Sequence, residues 1–398
     1  MKKENISKRI SVYLIAGLLA VFGIAFFLTP KTEFSESENR SLAKWPEFSI
    51  ANLTSGRYTE GVKDYLSDHF PKRDELLKLI NSTERMSGRR EINGVYLCED
   101  RLINSYEEPK NVEKDINQFG KLADNVENTR VSLMLVPTAT SIYWDMLPEG
   151  SPDYEAADLQ RRDTVIKETK PATTELDTMI RISSAMPDKV NHIQADAELL
   201  NAAYNGNENL YYRTDHHWTT YGAYTGYTAI CKSLGLDATP IEEFDQTVVT
   251  TDFYGSIYSK LNDDYVKPDE IVSYSYPGWD LRVEYADSGL VTDTPYDPEY
   301  LNKRDKYSYF LSNQHGFITI TNEAVAEDAG AMALVKDSYA NCLVPFLLNH
   351  YRTLYIFDTR YHKGGVSKFV NSHEDVKEVL ILYNMGTLDK DSGIGGIY

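Results

Sequence analysis

AMALVKDSYANCLVPFLLNHYRTLYIFD, residues 331–358, sets two short apolar runs on either side of a stretch of helical composition. AMALVK (331–336) and TLYIFD (353–358) have the length and content of buried strands, and YANCLVPFLLNHY between them reads as a helix with Pro345 inside. A strand, a helix and a second strand make a βαβ unit, and such units build parallel sheets buried on both faces. The rhythm extends outward. SHEDVKEV supplies a further helix, with His373, Glu374 and Asp375 near its start, and VLILYN a third strand. Upstream, NVEKDINQFGKLADNVE reads as a helix and VSLMLVP (131–137) as another buried strand. AADLQRRDTVIKETKPATTELDTMIRISSAM covers one or two helices, and VNHIQADAELL opens as a short strand and passes into a loop. TTYGAYTGYTAICKSLGL (219–236) is a helix ended at Gly235.

Residues 240–325 break the alternation. They are rich in Tyr, Asp, Gly, Thr and Ser in short alternating runs, and read as a mostly β insertion. Before the alternating region, GVYLCEDRLI (94–103) has the pattern of a hairpin around Glu99 and Asp100, and the stretch from Tyr58 to Met86 is helical with a break at Pro71.

The N-terminus has its own logic. ISVYLIAGLLAVFGIAFFL (10–28) is uncharged and long enough to cross a hydrocarbon core of about 30 Å as a helix. Lys2, Lys3, Lys8 and Arg9 precede it and Glu33, Glu36 and Glu38 follow, so residues 1–9 read as a cytoplasmic tail and everything past the span as extracytoplasmic. No A-x-A-like site closes the run, which favours an uncleaved anchor over a signal peptide. Residues 29–55, polar and punctuated by Pro and Ser, read as a linker, and 56–398 as the extracytoplasmic domain.

With 41 basic and 60 acidic residues the net charge is -19, a field that repels phosphate backbones and excludes nucleic acid as a partner. The three cysteines, Cys98, Cys231 and Cys342, are odd in number and far apart; they read as small buried apolar residues, with neither a disulfide framework nor a metal cluster. The 29 tyrosines suit sugar-gripping surfaces, though rim and core packing is the simpler reading.

Chemistry concentrates in YYRTDHHWTTYGAY (211–224). Three readings of Asp215, His216, His217 and Trp218 compete: a metal site, part of a nucleophilic triad, or a structural polar knot. Against metal, adjacent histidines point to opposite faces of a strand and about 100° apart on a helix. H-E-x-x-H spacing and cysteine pairs are also absent. For a triad, residues i and i+2 of an extended segment share a face, so Asp215 and His217 project together as orienting carboxylate and base, His216 faces away, and Trp218 walls the pocket. Ser338, on the turn after AMALVK, is the available nucleophile; it sits where open α/β sheets hold ligands and opens a helix whose N–H groups and dipole suit an oxyanion. Asp337 and Ser338 are equally natural helix caps, so spacing alone leaves the two roles level.

D-x-H-W before a G-A helix, with a later D-S turn after a buried strand, resembles the DHHW protein family and its relatives, the alginate O-acetylation proteins of the SGNH hydrolase superfamily. ENRSLAKWP (38–46), VPTATSIYWDMLP, FYGSIYSKL and IFDTRY (356–361) are similar to segments of that group. The resemblance implies an SGNH-like three-layer α/β/α fold with a parallel central sheet, acting on ester-linked acyl groups, typically acetyl on cell-surface polysaccharide. It implies Ser338 as nucleophile, His217 as base and Asp215 as orienting acid, with no metal and no cofactor. Its implied partners are acetylated polysaccharide or an acetyl donor, with a membrane-bound acyltransferase as a further candidate. Lys336 stands where the usual turn has glycine, narrowing the approach or adding positive charge. The order Asp–His–Ser reverses that of ordinary SGNH hydrolases and fits the alginate-acetylation branch. Asn341 and Asn313 are candidate oxyanion donors. Arg360 could also stabilise negative charge, but an ion pair with Asp358 is the simpler role. His216 reads as a packed, hydrogen-bonded residue, His315 as a satisfied loop histidine, and His350 and His373 as helix-end residues. The rival class is a non-catalytic envelope protein that holds glycan or partner proteins with a decayed triad; a metal hydrolase is the third.

Overall fold

The computed structural model describes residues 2–35, 37–38, 40–162, 174–388 and 392–398. They fall into two compact units, Met1–Arg89 with Ser259–Asp263, and Arg90–Tyr258 with Asp264–Tyr398.

In the first unit, helix α1 (Lys2–Leu28) contains the apolar window Ile10–Leu28, whose mean hydropathy is 2.5. It is followed by a strand pair, β1 (Phe34–Ser35) and β2 (Arg40–Ser41), and by helices α2 (Ile50–Thr54), α3 (Arg57–Asp68) and α4 (Arg73–Met86), with Pro71 in the break between the last two. Residues 29–55, expected as a linker, are tied to α3. Ala43 N–H donates to Asp68 Oδ2 (2.8 Å), His69 Nε2 lies 3.1 Å from Ala43 O, and Gly61 passes so close to Pro46 that a Cβ there would come within 2.8 Å.

The second unit opens with a three-stranded ladder, β3 (Glu91–Ile92), β4 (Val95–Leu97) and β5 (Leu102–Asn104), which contains the expected hairpin. Helix α5 (Val112–Asn125) leads to β6 (Arg130–Val136) and α6 (Ala139–Ile142). Helices α7 (Pro152–Arg162) and α8 (Glu175–Ser184) occupy the described parts of the next helical stretch; residues 163–173 lie outside the described residues. Strand β7 (Val190–Ile193) leads into α9 (Ala195–Tyr204), a helix where a loop was expected. Helix α10 (Thr220–Leu234) is capped by Thr219 and closed by left-handed Gly235.

The remainder comprises β8 (Asp245–Phe253), α11 (Ser256–Leu261), β9 (Asp269–Ser275), β10 (Leu281–Tyr285), β11 (Leu290–Thr292), β12 (Phe317–Asn322), β13 (Ala331–Lys336), α12 (Val344–Leu347), β14 (Thr353–Asp358), α13 (Val366–Asn371) and β15 (Val376–Asn384). The fold is mixed α/β around an eight-stranded sheet of order β11-β10-β12-β14-β13-β15-β6-β7. Strands β14, β13, β15, β6 and β7 are parallel, as their alternation with helices predicts; β12, β10 and β11 continue the sheet antiparallel. An all-parallel sheet is therefore too simple: three strands of the 240–325 region belong to the central sheet, and β8 and β9 pair apart from it.

Alternation along the strands sends successive side chains to two apolar clusters. Met134, Val136, Met332, Leu334, Leu380 and Leu382 join one with α9 and α10; Val131, Leu133, Ala333, Val335, Val379 and Ile381 join the other with α5, α8 and α13. Two helical expectations are corrected. YANCLVPFLLNHY is not one helix but a 3-10 turn, Ser338–Cys342, followed by α12 with Pro345 in its first turn. SHEDVKEV is not a helix: α13 lies upstream of it, and VKEV begins β15, where Val376 and Val379 are buried and strand-favouring.

Candidate active site

Strand β13 ends at Lys336, and the chain turns at Asp337. Asp337 accepts from Tyr339 N–H (2.9 Å), Asn384 N–H (2.8 Å) and the Thr387 hydroxyl, which pins the turn to the neighbouring strand β15. Burial raises its carboxyl above the ordinary range, and these donors oppose the shift. Asp337 is thus the cap that holds Ser338, half-buried at the carboxyl edge of the sheet.

Opposite it, residues 211–218 form a tight reversal rather than an extended segment. Tyr211 bridges Trp218, and His217 N–H folds back to Asp215 Oδ1 (2.9 Å) as an Asx-type turn. That turn, and not strand alternation, brings Asp215 and His217 together. Asp215 Oδ1 lies 2.6 Å from His217 Nδ1, and His217 Nε2 lies 2.8 Å from Ser338 Oγ. The other carboxylate oxygen accepts from Ser256 N–H (2.7 Å). Gly255 makes this possible: a Cβ there would sit 2.2 Å from Asp215 Cβ. Burial alone would raise the Asp215 carboxyl, but the two imidazoles, the His217 hydrogen bond and Ser256 N–H hold it well below the ordinary range. Behind it, Asp269 accepts from Arg213 N–H and Thr214 N–H, both at 2.8 Å, and burial pushes its carboxyl up to about 6.

His216 corrects the sequence reading. It does not face away: its ring lies 3.9 Å from that of His217, with Nδ1 2.6 Å from Ser256 Oγ and 3.6 Å from Asp215 Oδ1. The geometric ground for separating the two histidines therefore fails, and one ligand atom from each of Asp215, His216 and His217 lies within 4.8 Å of the others. Both nitrogens of His217 nevertheless face protein partners, Asp215 and Ser338. Trp218 is also misplaced by that reading. It is wholly buried, donates from Nε1 to Tyr339 O (2.8 Å), and rests on Gly226, where a Cβ would come within 2.8 Å of the ring. It anchors the core beneath the Ser338 turn instead of walling a pocket.

The residue that the sequence did not announce is Tyr307. Its ring stacks on His217 at 3.7 Å and 9°, and its hydroxyl donates to Ser338 O (3.0 Å). No motif marks it within DKYSYF; only the fold brings it to the site.

Lys336 neither narrows the approach nor offers a free charge. It is buried, with Nζ 3.2 Å from Asp358 Oδ2, its partner in the β13–β14 register. Arg360 donates through Nε (2.8 Å) and NH2 to the same carboxylate, the ion-pair role expected of it. Burial would raise the Asp358 carboxyl, but the two cations hold it below its ordinary range. Asn313 has a positive φ of 78° and accepts from Ser308 Oγ (3.1 Å), so it is engaged in its own turn. Asn341 is buried within the Ser338–Cys342 turn, and among the described residues its side-chain oxygen has no hydrogen-bond partner. His315 is satisfied by Asp287 and Ser312 O, His350 pairs with the Tyr227 hydroxyl, and His373 stacks on Phe369.

A family model described as DHHW protein matches residues 38–138 and 155–357, most of the chain. The chain belongs to the DHHW protein family. No curated protein matches it in sequence. Among solved structures, a DHHW family protein from Eubacterium siraeum is similar at TM-score 0.61 and 21% identity, covering 77% of this chain and 96% of that one. PatB1 of Bacillus cereus, solved with a sulfonyl adduct, is similar at TM-score 0.58 and 18% identity, covering 76% and 98%. The O-acetyltransferase domain of AlgJ from Pseudomonas putida matches at TM-score 0.40 and 14% identity, covering 74% and 92%. The first two likenesses establish a shared fold.

The letters of the DHHW motif divide their labour in this chain. Asp215 closes the turn, His216 and His217 lie ring against ring beside its carboxylate, and Trp218 carries the turn into the core. The G-A helix after the motif is explained by contact as well: a Cβ at Gly222 would meet Leu210 O at 2.0 Å, so only glycine lets α10 approach the reversal.

Proposed function

We propose that this protein is a membrane-anchored, extracytoplasmic serine enzyme of acyl-ester chemistry with an SGNH-like three-layer fold. Its substrate is acetyl carried on cell-surface polysaccharide. The observation that carries the reading is the continuous relay Asp215–His217–Ser338, with contacts of 2.6 and 2.8 Å between residues 121 apart in sequence at the far end. Family membership and the fold shared with PatB1 support it.

In the first half-reaction His217 Nε2 takes the Ser338 proton as Oγ bonds to the acyl carbon. The tetrahedral intermediate collapses as His217 returns that proton to the leaving alkoxide. Ser338 is left acylated. A sugar hydroxyl or water then repeats the steps in reverse, so transferase and esterase share one acyl-enzyme and differ in acceptor. Asp215 stays ionised and keeps the Nδ1 proton of His217 directed at itself, which leaves Nε2 free to act as base. The Ser338 N–H at the start of the 3-10 turn, with Asn341 beside it, is the candidate oxyanion site; five residues of 3-10 turn are too short for much of a helix dipole. The positive-inside rule places residues 1–9 in the cytoplasm, and a membrane-bound acyltransferase is the fitting acetyl source.

The test is covalent labelling of the full chain with a fluorescent fluorophosphonate, alongside release of acetate from p-nitrophenyl acetate. Labelling should vanish in Ser338→Ala and activity should survive a chelator. Equal labelling of the variant would defeat the nucleophile assignment, and glycan binding without any labelling would establish the non-catalytic reading. Activity lost to a chelator and restored by Zn²⁺ would move Asp215, His216 and His217 to a metal role.

A further inference from the structure

Outside α1, the exposed large apolar side chains of the first unit include Trp45, Phe48, Ile50, Leu53, Leu66 and Phe70, between 38% and 76% exposed. Single exposed apolar residues are ordinary, but contiguous ones mark an interaction surface. Here the aromatic rings form a file along α3. Phe48 meets Tyr58 edge-on at 5.2 Å, Trp45 meets Tyr65 at 5.1 Å, and Tyr65 meets Phe26 of the apolar helix at 6.3 Å. Phe70 stacks on Phe22 at 5.1 Å. Tyr65 of α3 meets Phe26, and Phe70, just past its end, meets Phe22 further from the end of the span, so the two helices run antiparallel and the segment that follows α3 lies deepest.

Phe26 and Phe22 precede Leu28, the last residue of the span, by two and six residues, or roughly 3 and 9 Å along a helix. The headgroup layer on each side of a bilayer is only about 5–7 Å thick. With Ile10–Leu28 filling the hydrocarbon core, Tyr65 packs on Phe26 roughly 3 Å inside its edge and Phe70 on Phe22 roughly 9 Å inside. Trp45 and Phe48 then fall at headgroup level, where aromatic side chains collect. The segment cannot swing away, because Arg40 grips Asp68 with both guanidinium nitrogens and Ala43 N–H donates to the same carboxylate. The charges near this face are paired: Asp68 with Arg40, Glu38 with Arg73, and Lys72, whose side chain is 81% exposed, with Glu75.

We propose that the aromatic file of α3 and the segment Trp45–Leu53 is a membrane-interface surface, seated in the headgroup layer beside the anchor. The first unit then lies on the bilayer instead of hanging from a free tether. This rests on reading Ile10–Leu28 as an anchor, and the test separates the two ideas.

Single cysteines at Leu18, Phe48, Leu66 and Glu60 are nitroxide-labelled in the full chain, in vesicles of phosphatidylethanolamine and phosphatidylglycerol. The native cysteines are buried and stay unlabelled. Accessibility to oxygen, which partitions into lipid, is compared with that to a water-soluble nickel chelate. Oxygen should dominate at 18, 48 and 66, and the ratio should reverse at 60, on the opposite face of α3. If 48 and 66 behave as 60 does while 18 is embedded, the interface surface is refuted and the anchor stands. If 18 also reports water, both fail. Labels at 48 and 66 shielded from both reagents would mean that a protein partner covers the face, which also overturns the proposal.

Discussion

His217 is held from three sides: by Asp215 at Nδ1, by Ser338 at Nε2 and by the face of Tyr307. Replacing it by Ala should lower acetyl-ester turnover by about 10⁴-fold or more, since members of such a relay act as a unit. His216→Ala leaves both contacts of the relay in place and removes the Ser256 link, a neighbouring ring and one of the two imidazoles that hold the Asp215 carboxyl down. Its cost should stay within about tenfold, the worth of one hydrogen bond of ~1.4 kcal/mol. Rates per folded molecule decide the matter; equal losses in the two variants would mean that His217 is not the sole base. Tyr307→Phe keeps the stack and loses the bond to Ser338 O, so it should cost about 1 kcal/mol in transition-state stabilisation. Tyr307→Ala loses the stack as well and should cost distinctly more in kcat, a difference read from the two kcat values. The meeting of Asp215, His217 and Ser338 was legible from their residue types and from the resemblance that groups them. Tyr307 was not: a tyrosine among 29 becomes part of a site only through its fold-dependent neighbours.

At the scale of elements, sequence predicted strands better than turns. The buried strands β6, β13, β14 and most of β15 are apolar runs whose content alone identifies them. Elements shaped by contact were missed. The break after Ser338 depends on Pro345 and on the Asp337 cap, and the joining of β10–β12 to the sheet depends on pairing that no local pattern records. The Asx turn at Asp215 is the sharpest case: the right pair was inferred from an extended segment that does not exist. Its steric key is Gly255, whose absent side chain leaves room for the Asp215 carboxylate. Gly255→Ala should push that carboxylate off Ser256 N–H and His217, slowing fluorophosphonate labelling of Ser338 by about 10²-fold or more, as misplaced catalytic groups do. Circular dichroism should remain that of the folded protein. Labelling at the native rate would mean that Asp215 need not hold this geometry.

For the whole molecule, burial of carboxyls ties stability to pH, and Glu175 gives the cleanest case. It is wholly buried and accepts from Thr138 N–H (2.7 Å), the Thr138 hydroxyl (2.8 Å) and Ser141 Oγ, joining the start of α8 to the turn after β6. Burial outweighs these donors and pushes its carboxyl up to about 7. A carboxyl raised in the folded state stabilises the fold fully below its unfolded value and loses that contribution as pH rises through the folded value. The window therefore runs from about 4.5 to about 7, and the loss across it is about 3 kcal/mol at ~1.4 kcal/mol per pKa unit. Asp269, raised to about 6, adds a decline of the same sign. Burial lowers His192, His350 and His362, which act the other way up to their ordinary value near 6.5. Raw melting curves mix these terms, but a difference between two proteins isolates one. Glu175→Gln mimics the protonated acid and keeps every other titrating group. Its melting temperature should lie near that of the native chain at pH 5 and several degrees above it at pH 8, measured by circular dichroism in the same detergent. An offset that stays constant between the two pH values would show that Glu175 is ionised throughout, with its three donors outweighing burial.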